Sequence, residues 1–110
     1  MKDYLLIIKG DLPEATSPEE MQQALQAYMT WAGQLGDNYV GGQRLEKTGA
    51  LLAPSGGIMT DGPFLESKEM ISGYMMVKAN SLEEAIGMAK TSPLLVHCNI
   101  EVRQIKIMPE

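Results

Sequence analysis

The sequence predicts an α+β fold of the ferredoxin-like kind, a βαββαβ protomer with one inserted hairpin. Three observations carry this. Strand-like and helix-like runs follow the order strand, helix, strand region with hairpin, strand, helix, strand, which is the split βαβ pattern. Two capping boxes, at Ser17 and Ser81, each open an apolar-periodic run. The length, 110 residues, suits one domain spanning 1–110.

The elements follow in order. Tyr4-Leu5-Leu6-Ile7-Ile8 is a continuous apolar run and reads as a strand apolar on both faces. Residues 10–16 hold Gly10, Asp11 and Pro13 and form a loop. Ser17 caps the first helix, Pro18 suits its first position and Glu20 completes the box. Met21, Leu25, Tyr28, Ala32 and Leu35 then make one apolar stripe, and Gly36-Asp37-Asn38 ends the helix. Residues 39–58 are the least regular part of the chain. Within and just past them, Ala50 to Ala53 and Ile58 to Thr60 flank Pro54-Ser55-Gly56-Gly57 as a short hairpin. Ile71 to Ala79 alternates as a strand, with Ile71, Gly73, Met75, Val77 and Ala79 on one face and Ser72, Tyr74, Met76 and Lys78 on the other. Leu82, Ala85, Ile86 and Ala89 mark the second helix, closed by Ser92-Pro93. Ile100 to Ile107 is the last strand. Its apolar phase changes partway, so either both faces are covered or a bulge intervenes.

Two helices cover one face of such a sheet. The first strand is apolar on both faces and the 71–79 strand nearly so, and a bare sheet of that size would expose a large apolar patch. A second copy packed by two-fold symmetry is the simplest cover; the loop 46–70 is the alternative. A homodimer is therefore expected.

Composition excludes several classes. The net charge is −5 with no basic block, so neither nucleic acid nor an anionic membrane is an expected partner. No apolar stretch approaches the roughly 18 residues of a membrane helix. The one cysteine, Cys98, cannot form an internal disulfide and suits a reducing, cytoplasmic location. The one histidine, His97, has no second His and no further Cys to complete a metal set, so no metal or other cofactor is expected. Nine Met against one Phe and one Trp read as flexible core filler.

Thr60-Asp61-Gly62-Pro63-Phe64 is the most informative stretch. Asp61 can bond its own backbone and fix the turn. The same carboxylate, held in a cleft beside the sheet's open face, would be raised in pKa and suited to general-base work or ligand anchoring. The two roles are compatible. Phe64 is expected in core or interface and, with Tyr74, Glu101 and Arg103, is a candidate substrate contact. Tyr74 can reach a ligand if its strand face lines the cleft. Glu101 and Arg103 either pair structurally, or Arg103 recognises a carboxylate through its planar guanidinium. Glu66, Lys68 and Glu69 form a solvated turn or a set of ion pairs locking the loop.

Asp61-Gly62-Pro63-Phe64, followed by Glu66-Ser67-Lys68-Glu69 and Gly73-Tyr74, resembles the signature of the DGPF family, and Ile100-Glu101-Val102-Arg103 resembles that family's closing strand. The resemblance spans nearly the whole chain. It implies the YCII-related superfamily, and with it a dimeric α+β barrel. In the YCII branch it implies a proposed dyad of a His from the first helix and an Asp near the following loop, with dehydrochlorination among its activities. This chain departs from that pattern, since its first helix reads Met21-Gln22-Gln23-Ala24-Leu25 and has no His. Only Asp61 carries over.

Three functions are consistent with these residues. The first is a small-molecule-binding, regulatory module. The second is an enzyme of lyase or proton-abstracting type acting on a small organic acid, with Asp61 as base, Tyr74 and Arg103 orienting the substrate, and no metal. The third is a protein scaffold linked to transcription, which the resemblance suggests because some relatives are encoded with alternative sigma factors.

Overall fold

The computed structural model describes residues 1–12, 17–60 and 69–109. Its elements are β1 (Lys2–Lys9), α1 (Pro18–Leu35), β2 (Tyr39–Arg44), β3 (Ala50–Leu52), β4 (Ile58–Thr60), β5 (Ile71–Ala79), α2 (Leu82–Lys90) and β6 (Asn99–Gln104). Strands β2-β5-β1-β6 form one antiparallel sheet in that order, and β3-β4 form a separate hairpin. With both helices on one face, this is the ferredoxin-like α+β arrangement.

Local chemistry sets the helix starts. The Ser17 hydroxyl accepts from the Glu20 amide at 3.1 Å, and the Ser81 hydroxyl from the Glu84 amide at 3.2 Å. Each satisfies a backbone donor that has no partner inside its helix. The core lies between the sheet and the helices. Tyr4, Leu6 and Ile8 of β1 and Met75, Val77 and Ala79 of β5 are buried there with Trp31, Ala85 and Ala89. Ile100 and Val102 of β6 pack against them.

Four expectations need correction. First, the α1 stripe docks only in its second half. Tyr28, Ala32 and Leu35 pack on the core, but Met21 and Leu25 are more than half exposed. The core residue of α1 is Trp31, whose indole N–H donates to the Met88 carbonyl at 3.1 Å and the Thr91 hydroxyl at 3.0 Å. Tyr28 and Tyr39 stack edgewise around it and share a short hydroxyl contact. Second, Ser72 is buried and Ile71 is 46% exposed, the reverse of the expected faces. Ile8 pairs with Gly73 but Lys9 pairs with Ile71, so Ser72 is the extra residue of a bulge. Third, β6 ends at Gln104, so the apolar phase change falls at the end of the ladder and needs neither a bulge nor double coverage. Fourth, the irregular Tyr39–Arg44 stretch is a full strand, with a register shift between Tyr39 and Gly41.

The bulge is clamped by a short network. Gly10 donates its amide to the Met70 carbonyl at 2.8 Å, Ser72 donates its hydroxyl to the Gly10 carbonyl, and the Leu45 amide donates to the Ser72 carbonyl at 2.9 Å. Gly10 has a φ of 132°, and a Cβ there would meet the Cys98 Sγ at 3.2 Å. Both conditions select glycine. At Gly73 a Cβ would lie 2.7 Å from the Gln43 carbonyl oxygen, so β2 approaches β5 only because this side chain is missing.

The hairpin β3–β4 stands apart from the core. Leu51 faces Met59 and Leu52 faces Ile58 across the pair, so both of its faces are apolar, and all four side chains are about half exposed or more. The radius of gyration is 15.6 Å, against about 13 Å for a compact chain of this length.

Gly10→Ala is expected to destabilise the chain by about 1–3 kcal/mol. Urea unfolding followed by the fluorescence of Trp31, the only Trp, measures it; an unchanged midpoint would show that the bulge network tolerates the strain.

Candidate functional site

Among the described residues, no helix covers the second face of the sheet, here called the open face. The strand register orders its side chains into rows. One row runs Gln43, Tyr74, Ile7, Glu101 across β2, β5, β1 and β6. The next runs Gly41, Met76, Leu5, Arg103. Leu5, Ile7 and Met76 are half-buried. They make an apolar centre between Tyr74 on one side and the charges of β6 on the other. Three residues singled out from sequence, Tyr74, Glu101 and Arg103, thus share one face. Tyr74 and Glu101 flank Ile7 on neighbouring strands, about 9.5 Å apart at two strand spacings.

Glu101 is the hub of the charged side. Lys9 Nζ lies 3.3 Å from one carboxylate oxygen and Arg103 a looser 3.8 Å from the other. Two cations on one carboxylate leave a net positive charge at the edge of an apolar surface, and Arg103 stays largely exposed, with its fork of donors available. Lys9 was missed from sequence. Its parity with Leu5 and Ile7 places it on their face, but nothing local connects it to a carboxylate 92 residues away. A hollow of about 380 Å³ lies here, lined by Lys9, Glu69, Asn99, Ile100 and Glu101.

A second cavity, of about 240 Å³, lies at the same end of the sheet, where β1 and β2 leave it and β5 begins. Asp11, Arg44, Glu46 and Lys47 supply its charge, and Leu12 and Ser72 line it as well. Asp11 and Lys47 pair at 2.9 Å. Sequence reading did not single out these residues, because the bulge that gathers them has no local signature.

Asp61 and Phe64, with Glu66 and Lys68, lie outside the described residues. Glu69, just beyond them in the chain, lines the larger hollow, and Met70 and Ile71 line the smaller cavity. His97 is exposed and lines neither. Among the described residues no group of three or more His, Cys, Asp or Glu is placed to hold a metal ion, and no helix is long and apolar enough to cross a membrane.

Cys98 is buried against Gly10. Burial pushes its thiol pKa up, Asp11 adds to the push, and Arg44 opposes it. Burial also raises Tyr28, helped by its contact with Tyr39.

The profile of the YCII-related domain matches residues 4–109. No curated protein matches. Among solved structures, the chain is similar to 5-chloro-2-hydroxyhydroquinone dehydrochlorinase from Burkholderia phenoliruptrix AC1100, solved in complex with 2,5-dihydroxybenzoquinone. The TM-score is 0.52 at 18% identity, covering 94% of this chain and 93% of that one. At that identity the likeness speaks for the fold.

The raised thiol fixes an alkaline pH dependence. Above the ordinary thiol range, about 8.5, the unfolded chain releases a proton that the folded chain keeps. The unfolded state then binds fewer protons, so stability falls as pH rises. Urea midpoints should drop between pH 7.5 and 9.5, and Cys98→Ala should flatten that part of the slope. An equal slope in both proteins would assign the effect elsewhere.

Proposed function

The chain belongs to the YCII-related family, and from that membership we propose that it binds a small organic molecule at the open sheet face and works as a homodimer. One observation carries the binding reading: an apolar strip of Leu5, Ile7 and Met76 lies between Tyr74 and the Lys9–Glu101–Arg103 cluster. A planar, oxygen-bearing molecule fits such a surface. Its ring covers the apolar strip, Arg103 and Lys9 meet its negative oxygens, and the Tyr74 hydroxyl bonds the far side.

The homodimer rests on what a single chain leaves uncovered. Leu5 and Ile7 belong to a sheet face with no helix on it. The β3–β4 hairpin is apolar on both sides, and an isolated two-stranded hairpin is at best marginally stable. A second copy covers such surfaces and closes the open face into an enclosed site.

A second reading makes the same site catalytic. The similar solved protein is a dehydrochlorinase crystallised with a quinone. For this chain the corresponding proposal is lyase-type proton abstraction from a small organic acid, with Asp61 as base and Phe64 walling the site. Asp61→Asn should then abolish turnover while leaving binding and fold in place.

Two measurements test the binding reading. Calorimetry with 2,5-dihydroxybenzoquinone should show saturable binding, weakened about 10- to 100-fold by Arg103→Gln, the loss expected when a charge-assisted bond is removed. Equal binding by the variant removes Arg103 from the site. Sedimentation should give a particle of two 12.0 kDa chains, converted to one by Ile7→Glu; a native chain that sediments singly would overturn the homodimer.

A further inference from the structure

The smaller cavity, at the end of β1, β2 and β5, has features of a built site separate from the open face. Its frame is rigid. Backbone bonds from Gly10 to Met70 and from Leu45 to Ser72, with the Ser72 hydroxyl on the Gly10 carbonyl, fix three chain segments around it. Its floor includes Leu12, only 6% exposed. At about 240 Å³ it is below the roughly 300–1,000 Å³ typical of drug-sized sites, so its ligand has few heavy atoms.

The charges around it are balanced but unequally engaged. Asp11 and Lys47 satisfy each other at 2.9 Å. The side chains of Arg44 and Glu46 line the same cavity, and among the described residues neither makes an ion pair or a side-chain hydrogen bond. They are two residues apart, just past the end of β2, so their backbones lie at most about 6.6 Å apart. That spacing lets a molecule of a few heavy atoms touch both. A guanidinium presents a planar fork of donors suited to a carboxylate. A glutamate accepts from an ammonium. A plain anion would gain Arg44 but face Glu46, and a plain cation would gain Glu46 but face Arg44. Only a ligand carrying both charges matches a lining whose net charge is zero.

We propose that this cavity binds a small zwitterion of the amino-acid class, with Arg44 holding its carboxylate, Glu46 its ammonium group, and Leu12 its short aliphatic side chain. None of Lys9, Glu101 and Arg103 lines the cavity, so this site stands or falls independently of the open-face site.

The test is calorimetry on the native protein at low salt with L-alanine, propionate and propylamine, which share a carbon skeleton and differ in charge. L-Alanine should bind saturably, and the two singly charged molecules at least about tenfold more weakly, since each loses one charge-assisted contact. Arg44→Gln and Glu46→Gln should each weaken L-alanine about 10- to 100-fold by the same reasoning, while Arg103→Gln leaves it unchanged. Both substituted side chains are exposed, and a Trp31 melting curve checks that each variant is folded. Should a variant fail to fold, the three-ligand series on the native chain still decides. The proposal is overturned if L-alanine gives no saturable heat, if propionate or propylamine binds as tightly, or if folded Arg44→Gln and Glu46→Gln bind L-alanine as the native chain does.

Discussion

One extra residue in β5 sets the geometry of the functional end of the molecule. Strict alternation would put Ile71 on the core face and Ser72 on the open face. The bulge reverses both and buries the Ser72 hydroxyl, which is satisfied only because the Gly10 carbonyl faces it. An unsatisfied buried hydroxyl would cost on the order of 1–3 kcal/mol, so bulge and partner must occur together. Gly10 supplies that carbonyl from a backbone conformation other residues resist, and its missing side chain leaves room for Cys98. The ends of β1 and β2 are thereby tied to the start of β5, with Cys98, just before β6, packed against Gly10. Lys9, one step before Gly10, is aimed along the open face, and Arg44 is brought to the lip of the smaller cavity.

The same sheet explains the uneven distribution of apolar surface. Its helix face is closed by a conventional core around Tyr4, Leu6, Met75 and Val77. Its open face is neither closed nor polar. Charged pairs such as Asp3–Lys78 at 3.7 Å edge it, and exposed pairs of this kind add little to stability. The apolar content beyond the core sits in the centre of that face, in the first half of α1 and on the hairpin.

Much of this architecture is legible in sequence where the signal is local. Ser17 and Ser81 announce their helices because a cap needs only its next three residues. The hairpin is legible from Pro54-Ser55-Gly56-Gly57 between two apolar runs, and Gly56 indeed takes a φ of 90°. The common face of Tyr74, Glu101 and Arg103 follows from parity once the strand order is known. What escapes is non-local. Trp31 falls outside the stripe read for α1, because Met21 and Leu25 helped set that stripe yet do not dock, and the helix packs through its second half. Ser72 looks like an ordinary solvent-face serine, since a bulge is defined by its partner strand. Lys9 and Glu101 meet only after the whole chain has folded. Asp61 and Phe64, the most conspicuous residues in the sequence, lie outside the described residues, so for them local distinctiveness still stands without a measured environment.

The topology gathers most of the connecting segments at one end of the sheet. Because β5 and β6 both run against β1, and β2 runs against β5, β1 and β2 end where β5 and β6 begin. The links that leave β1 and β2 and those that enter β5 and β6 all meet that end, and the one entering β5, residues 61–70, is the longest in the chain. The opposite end carries only the tight passages from α1 to β2 and from β5 to α2. Variable backbone therefore surrounds a fixed frame at one edge, the usual division between loops that recognise and strands that hold them. Both cavities lie at this edge, and Asp61-Gly62-Pro63-Phe64 belongs to the link that enters β5.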